Sequence, residues 1–252
     1  MRMATFNILH GRSPADDLVD IDRFEKAVRE LDADVLALQE VDRNQPRSER
    51  SDLTAVAAEA MGATEHRFVA ALSGSPGATW IAATGEEQPD AAAYGIALLS
   101  RYPVTGWEVI RLPTVPIPVP LWFRGSRKPV WVHDEPRVAV AATTQTPLGE
   151  ITFVNTHLSF VPWWNGRQLH RLVQDVVHCA RPVVVMGDLN MGPVRAEALS
   201  GMRRMADHLT FPADHVREQL DHVLLDGRLP TVASRAVELP LSDHRALVVD
   251  VG

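Results

Sequence analysis

VVVMGDLNMGP, residues 183–193, carries a run of core-type residues straight into two polar side chains and a turn. Val183 to Met186 have the unbroken apolar pattern of a strand covered on both faces, as in sheets buried between layers. Gly192 and Pro193 turn the chain directly afterwards. Side chains two positions apart on an extended chain point the same way. Asp188 and Asn190 are therefore expected together at the carboxyl end of a core strand, where α/β proteins bind ligands. The plainer reading makes Asp188 the cap of the next helix and leaves Asn190 to the turn. The rest of the chain has to decide.

Working outward, strand-like runs recur at 3–8 (MATFNI), 34–40 (DVLALQE), 95–100 (GIALLS), 138–145 (VAVAATTQ), 151–158 (ITFVNTHL), 220–227 (LDHVLLDG) and 244–251 (HRALVVDV). Between them lie helical periodicities. Ile21, Phe24, Val28 and Leu31 form one; Leu53, Val56, Ala57 and Ala60, ended near Gly62, form a second. Leu169, Leu172, Val173, Val176, Val177 and Ala180 form a third, which puts Cys179 on its apolar side as a buried, inert thiol. Pro147-Leu148-Gly149 is a hairpin turn, so hairpins and helical connections alternate and the sheet should be mixed. Burying this many apolar strands calls for an α/β architecture of two sheets face to face with helices outside. No linker divides the chain, and residues 1–252 are read as a single domain. The Pro- and Trp-rich stretch at about 112–136 cannot be a central strand and reads as a long surface excursion.

Composition narrows the function. The chain has 252 residues and a net charge of −7, without a dense basic run beyond the short RGSRK at 124–128. That balance argues against tight, non-specific binding to a nucleic-acid backbone, although a site holding a cation can accept phosphate on an acidic protein. A single cysteine cannot form an internal disulfide. No stretch has the pattern of a signal peptide or the length of a membrane span, so a cytoplasmic location is expected.

The ends of the strands share an unusual property. Asn7, Glu40, His157, Asp188 with Asn190, Asp221 with His222, and Asp243 with His244 each stand beside strongly apolar sequence. One such residue is ordinarily a cap or a solvated end; a whole set is harder to dismiss. Carboxylates and amides suit a hard, oxygen-seeking cation, and histidines suit proton or charge work. Carboxylates gathered in one place repel unless a cation sits among them.

With these residues in hand, the chain resembles the endonuclease/exonuclease/phosphatase superfamily of DNase I-like metal-dependent phosphoester hydrolases. The matching segments run in order: TFNILHG (5–11), DVLALQEVD (34–42), YGIALLSRYPV (94–104), VNTHL (154–158), VVVMGDLN (183–190), LDHVLL (220–225) and LSDHRALVV (241–249). The resemblance implies a four-layer α/β/β/α sandwich with its site at one edge of the sheets. It implies that Glu40 is the main ligand of a divalent ion, magnesium with manganese as the alternative, supported by Asn7, with Asp243 adding charge beside it. Asp188 would orient and deprotonate the attacking water, helped by Asn190. His244 would hold a phosphate oxygen, oriented by Asp221, and His157 would sit near the phosphate and leaving group. Arg137 falls where relatives place a phosphate-contacting arginine, though a surface arginine is the equal alternative. Leu9 stands where many relatives carry an acidic or amide residue, which favours one ion over two. Glu86 and Glu87 have no evident tie to His157. His10, His133, His170, His178, His208 and His215 follow no such pattern and read as structural or solvated, and His222 should face away from its neighbour Asp221.

Three activities compete. A phosphodiesterase or phosphatase for a small-molecule or lipid-headgroup phosphoester fits the acidic balance and the aromatic segments, with Trp163 and Trp164 walling a pocket or touching a lipid surface. Packing beneath a loop is the plainer role for those tryptophans. A nuclease would use RGSRK and the tryptophans on backbone and bases. A non-catalytic interaction module would need a damaged site, and every matched position is intact.

Overall fold

A computed structural model of the chain describes residues 1–121 and 128–252. Trp122, Phe123 and most of RGSRK lie outside the described residues. In chain order the first strands and helices are β1 (Arg2–Asn7), α1 (Ile21–Leu31), β2 (Val35–Arg43), α2 (Leu53–Met61), β3 (Glu65–Gly74), β4 (Trp80–Ala82), β5 (Ala93–Ser100) and β6 (Val104–Leu112). The middle of the chain supplies β7 (Val119–Leu121), β8 (Val130–Val132), β9 (Arg137–Thr146), β10 (Gly149–His157), α3 (Pro162–Asp175) and β11 (Val183–Asp188). The remainder forms α4 (Pro193–Ser200), β12 (Arg203–Arg204), β13 (Asp221–Asp226), β14 (Thr231–Val237) and β15 (Ala246–Val251).

One sheet runs β14-β15-β1-β2-β5-β3-β4 and the other β12-β13-β11-β10-β9-β6, while β7 and β8 pair as a separate ribbon. Both large sheets are mixed: β1 is parallel to β2 but antiparallel to β15, and β10 is parallel to β11 but antiparallel to β9. Alternate strand residues from both sheets, among them Met3, Ala37, Leu98, Phe153 and Met186, meet in a central core. The opposite face of the first sheet packs Phe6, Leu36 and Leu38 against Phe24 and Val28 of α1 and Leu53 of α2. The outer face of the second packs Val154 and Val185 against Leu169 and Leu172 of α3 and Ala196 of α4. The result is the expected α/β/β/α order of layers. Each fully buried side chain of this size contributes about 1.5–3 kcal/mol relative to exposure.

The helix ends follow local chemistry. Asp20 caps α1 by accepting from Arg23 N, and Asp52 caps α2 by accepting from Thr54 N and Ala55 N. Gly62 ends α2 at φ 67°, a conformation that costs glycine nothing. The third helix departs from expectation. It starts at Pro162 and ends at Asp175, so PWWNGR forms its first turns and Val177 lies beyond its end, 61% exposed. Pro162 occupies the first helical turn, where its missing N–H is no loss. Cys179 consequently sits in the turn after the helix, half-buried, and not on an apolar helical stripe. Trp164 is buried and donates from Nε1 to Pro113 O, whereas Trp163 is exposed. The excursion is partly docked, with Val115 and Val119 packing against Val161 and Trp164. Among the described residues no helix is long and apolar enough to cross a membrane.

The sheets are joined by a polar bridge as well as by the core. Asn155 of β10 donates from Nδ2 to Leu38 O and Ala97 O of the opposite sheet, at 2.8 and 2.7 Å. Its Oδ1 accepts from Gln39 Nε2 at 2.7 Å, and Gln39 Nε2 also reaches Thr5 Oγ1 at 3.0 Å. The bridge lies where the β2–β5 register shifts between Gln39 and Val41, which is where Glu40 leaves the regular strand. Asn155→Ala would take from the buried Gln39 amide one of its two acceptors and from both carbonyls their extra donor. It should lower unfolding stability by about 3 kcal/mol, measured by denaturant titration; a change below about 1 kcal/mol would show the bridge to be dispensable.

Candidate active site

The polar strand ends named above converge at one edge of the sandwich. Asn7, Glu40, His157, Asp188, Asn190, Arg137 and His244 line one cavity of about 440 Å³. Asn7 closes β1, His157 closes β10, Asp188 closes β11, Asp221 opens β13 and Arg137 opens β9; His244 lies two residues before β15. Asp243 is outside that lining, on the wall of a neighbouring cavity of about 610 Å³, yet its charge acts on both Glu40 and His244.

The backbone is strained where these side chains are delivered. Glu40 has φ 57°, Asn190 φ 50° and Ser242 φ 68°, and Leu9 and His10 lie at 46° and 48°. None is glycine, and such conformations cost on the order of 1 kcal/mol or more each. At Glu40 the left-handed residue coincides with the bulge, which turns the carboxylate out of the alternation that β2 otherwise obeys. Asn190 is likewise not on an extended chain, so the parallel alignment with Asp188 expected from strand geometry does not hold. Asp188 does not cap the next helix either, since Gly192 occupies that position. Instead Asp188 Oδ1 accepts from Asn190 N at 2.9 Å, which folds Asn190 back over the site.

A hydrogen-bond network then orients each group. Asn7 Nδ2 donates to Glu40 Oε1 and to Asp188 Oδ2, both at 3.1 Å, while Asn7 Oδ1 accepts from Leu9 N at 3.2 Å. Leu9 thus contributes through its backbone where a side-chain ligand is lacking. Ser242 Oγ donates to Asn7 O at 2.6 Å and accepts from His244 N at 3.0 Å. His244 Nδ1 donates to Asp221 Oδ2 at 2.9 Å, its Nε2 lies 3.7 Å from Asp188 Oδ2, and its ring packs on Phe211. His157 Nε2 lies 3.5 Å from the same Asp188 oxygen and 3.3 Å from Asn190 Nδ2. Asn190 Nδ2 also donates to Leu158 O.

Burial and charge set the protonation states. Burial pushes the Asp188 carboxyl up to about 7, assisted by Asp221 and opposed by His244. Burial alone would lower His244, but Asp221, Asp188 and Asp243 outweigh it and raise the imidazole to about 10. His157 moves the other way: burial, Arg137 and His244 hold it well below its usual range, so it is neutral. Burial and then Asp243 raise Glu40, against its hydrogen bond from Asn7. Arg137 is 5% exposed, not a surface residue; its Nη2 lies 3.6 Å from Glu135, and its Nε has no partner among the described residues.

Among the described residues, Asp188, Asp221 and His244 bring ligand-type atoms within 4.8 Å of one another. The imidazole stands between the two carboxylates, hydrogen-bonded to Asp221 and ion-paired at 3.7 Å with Asp188, so a cationic His244 already balances this trio. A hard divalent cation is better served by the Glu40 side of the cavity. There a buried carboxylate destabilised by its neighbour Asp243 wants positive charge, and only one of its oxygens is engaged by Asn7.

His133, Tyr94, Glu135 and Phe160 also line the cavity and were not singled out by sequence. Tyr94 and its neighbours are core-like in sequence, and His133 comes from the irregular excursion, so neither carried a periodic signal. His222 faces away as expected, buried with Nε2 2.8 Å from Met191 O. Glu87 is occupied by Thr84 and Gly85, remote from His157 in its bonding.

The sequence matches the Endonuclease/Exonuclease/phosphatase family over residues 4–244. No curated protein matches it in sequence. In structure it is similar to an endonuclease/exonuclease/phosphatase from Beutenbergia cavernae, with a TM-score of 0.73 at 22% identity, covering 100% of this chain and 71% of that one. It is similar to a mannosyl-6-phosphatase from Bacteroides thetaiotaomicron, with a TM-score of 0.62 at 13% identity, covering 100% and 99%. It is also similar to the human Nocturnin catalytic domain, solved with a bound sulfate, with a TM-score of 0.63 at 17% identity, covering 100% and 93%.

The raised carboxyl and imidazole have a consequence for stability. Between pH 3.8 and about 7 the folded Asp188 holds a proton that the unfolded chain has lost, and between 6.5 and about 10 the same is true of His244. These two groups should therefore destabilise the metal-free protein as pH rises through both windows, while His10, His157 and His222, which burial holds below the usual imidazole range, contribute in the opposite sense below 6.5. Asp188→Asn should remove the lower-window loss. Its Tm at pH 8 should exceed the parent's by a few degrees, at about 2–4 °C per kcal/mol, and the two should converge at pH 4. A Tm difference between Asp188→Asn and the parent that does not grow from pH 4 to pH 8, in scanning calorimetry, would contradict the raised Asp188 carboxyl.

Proposed function

Because the chain belongs to the Endonuclease/Exonuclease/phosphatase family, whose members are phosphoester hydrolases, we propose that it cleaves a phosphodiester of a small molecule or lipid headgroup by in-line attack of water. Residues 1–252 act as one catalytic domain in this reading. One observation carries it: Asp188 Oδ2 lies 3.5 Å from the Nε2 of a neutral imidazole and 3.7 Å from the Nε2 of a cationic one. A buried carboxylate near its transition at neutral pH is suited to take a proton from water. The neighbouring imidazolium is suited to a non-bridging oxygen on which charge accumulates.

Asp188 takes the proton of the attacking water, with Asn7 and Asn190 N fixing its two oxygens. His244, held by Asp221, binds a phosphoryl oxygen through Nε2. Arg137 adds permanent positive charge on the far wall, and the unpartnered Nε suits it to an anion. His157 and Asn190 orient the phosphoryl group and leaving oxygen. Glu40 and Asp243 would hold magnesium, or manganese in its place, with Asn7 positioning Glu40; when bound, the ion supplies charge neutralisation for the phosphoryl and leaving oxygens. A cavity of about 440 Å³ suits a small substrate.

The reading is tested with bis-(p-nitrophenyl) phosphate, p-nitrophenyl phosphate, sphingomyelin and plasmid DNA, each with magnesium, manganese or chelator. Diester turnover that chelator abolishes is expected; cleavage confined to plasmid DNA would replace the small-molecule reading with a nuclease. Asp188→Ala and His244→Ala should each lower kcat/KM by about 10²–10⁴-fold, with circular dichroism unchanged; parent-level rates in both would refute the roles assigned.

The same groups set a pH profile. Activity should rise as Asp188 ionises, with its midpoint at or below about pH 7 once a cation is bound, and fall as His244 loses its proton towards pH 10. In kcat/KM against pH, His244→Gln should lose the alkaline limb while keeping the acid one, moved to higher pH because the imidazolium no longer holds Asp188 down. An unchanged alkaline limb would assign it to another group.

A further inference from the structure

Away from the catalytic cavity, Glu108 of β6 meets His178 and Cys179 from the segment between α3 and β11. His178 Nε2 lies 3.0 Å from Glu108 Oε2, and the carboxylate oxygen, imidazole nitrogen and thiol sulfur all lie within 4.8 Å of one another. The three line a cavity of about 260 Å³ that shares no residue with the catalytic one.

An exposed His–Glu pair alone is an ordinary surface contact of little energetic weight. The sulfur changes the chemistry. Carboxylate, imidazole and thiolate are the three donor types that zinc takes together, and three protein donors with an open position for water complete a tetrahedron. Bond lengths of about 2.0–2.3 Å place tetrahedral donors about 3.3–3.8 Å apart; the His178–Glu108 pair at 3.0 Å has to open slightly, and the separations to the sulfur, within 4.8 Å, have to close by at most about 1.5 Å. Exposed His178 and half-exposed Glu108 and Cys179 have room for that.

The local fold explains how sequence neighbours come to face one cavity. Adjacent side chains diverge on a helix and point to opposite faces on a strand. Here α3 has already ended, and Cys179 N donates to Val176 O at 3.1 Å in a turn that presents both side chains to β6. We propose that Glu108, His178 and Cys179 form a zinc-binding site separate from the catalytic cavity, tying the approach to β11 to the edge strand of its own sheet. As the S–Zn bond forms, the Cys179 thiol proton passes to solvent, so the step needs no oxidant or reductant.

Cys179 is the only cysteine of the chain, so any thiolate-to-metal charge transfer reports on this site alone. Metal-depleted full-length protein, kept reduced, is titrated with Co²⁺ and then Zn²⁺. A near-ultraviolet charge-transfer band that saturates at one equivalent and is bleached by Zn²⁺ is expected. Cys179→Ser should lack the band, and His178→Ala and Glu108→Gln should each weaken Co²⁺ binding by about 10-fold or more. All three variants should keep parent circular dichroism and magnesium-supported turnover. A folded, reduced parent without the band overturns the proposal, as does a band of unchanged affinity in both His178→Ala and Glu108→Gln.

Discussion

The amide of Asn7 holds together two carboxylates that belong to different sheets. One N–H reaches Glu40 on the neighbouring strand and the other reaches Asp188 across the sandwich. Two buried acids repel, and an amide offers each only a partial positive charge. The arrangement persists because Asn7 is itself held at three points: Leu9 N on its side-chain oxygen, Ser242 on its carbonyl, and the strand pairing of β1 on both sides. The second link across the sheets, His244 to Asp221, starts from the same Ser242, whose hydroxyl also accepts from His244 N. Beneath them Asn155 fastens the sheets at the bulge that delivers Glu40.

This geometry divides the two histidines of the cavity into opposite states. His244 has a carboxylate at 2.9 Å and two more nearby, and it is a cation. His157 is as buried, but faces Arg137 and His244 with Asp188 only at 3.5 Å, and it stays neutral. Two imidazoles around one carboxylate can then do different work: one offers charge, the other a fixed ring. The cost is borne by the fold, since buried acids and left-handed backbone at Glu40, Asn190 and Ser242 both oppose folding. Three apolar interfaces, one between the sheets and one outside each, offset it.

The most legible elements were those whose burial is nearly complete. β1, β2, β5, β11 and β15 are covered on both faces, so each reads as a largely apolar run with a polar residue at or beside its end; β10 is as buried and ends in His157, but carries Asn155 within it. Edge elements such as β14, with three of its seven residues exposed, mix polar and apolar positions and lack that signature. The start of α3 was hidden because Pro162-Trp163-Trp164 looks like a loop, although proline in a first turn is a start signal. Within the cavity, His133 carries no periodic mark because it lies on the irregular excursion. Tyr94 is buried within the apolar strand β5 and lines the cavity, a position that nothing in its local pattern distinguishes.

Sequence by itself determined the layer order and the roster of polar strand ends, because burial of a sheet on both faces leaves few places for Asn7, Glu40, Asp188 or His244 other than the end of a strand. Tertiary structure alone decided how those ends meet. The bulge and φ 57° at Glu40, the anchoring of Asn190 to His157 and Leu158 and the opposite charges of His157 and His244 depend on contacts among residues 23 to 181 positions apart in the chain. A local pattern reports what a residue's neighbours in sequence will bury; it does not report which distant charge will stand beside it, and that distance sets the chemistry.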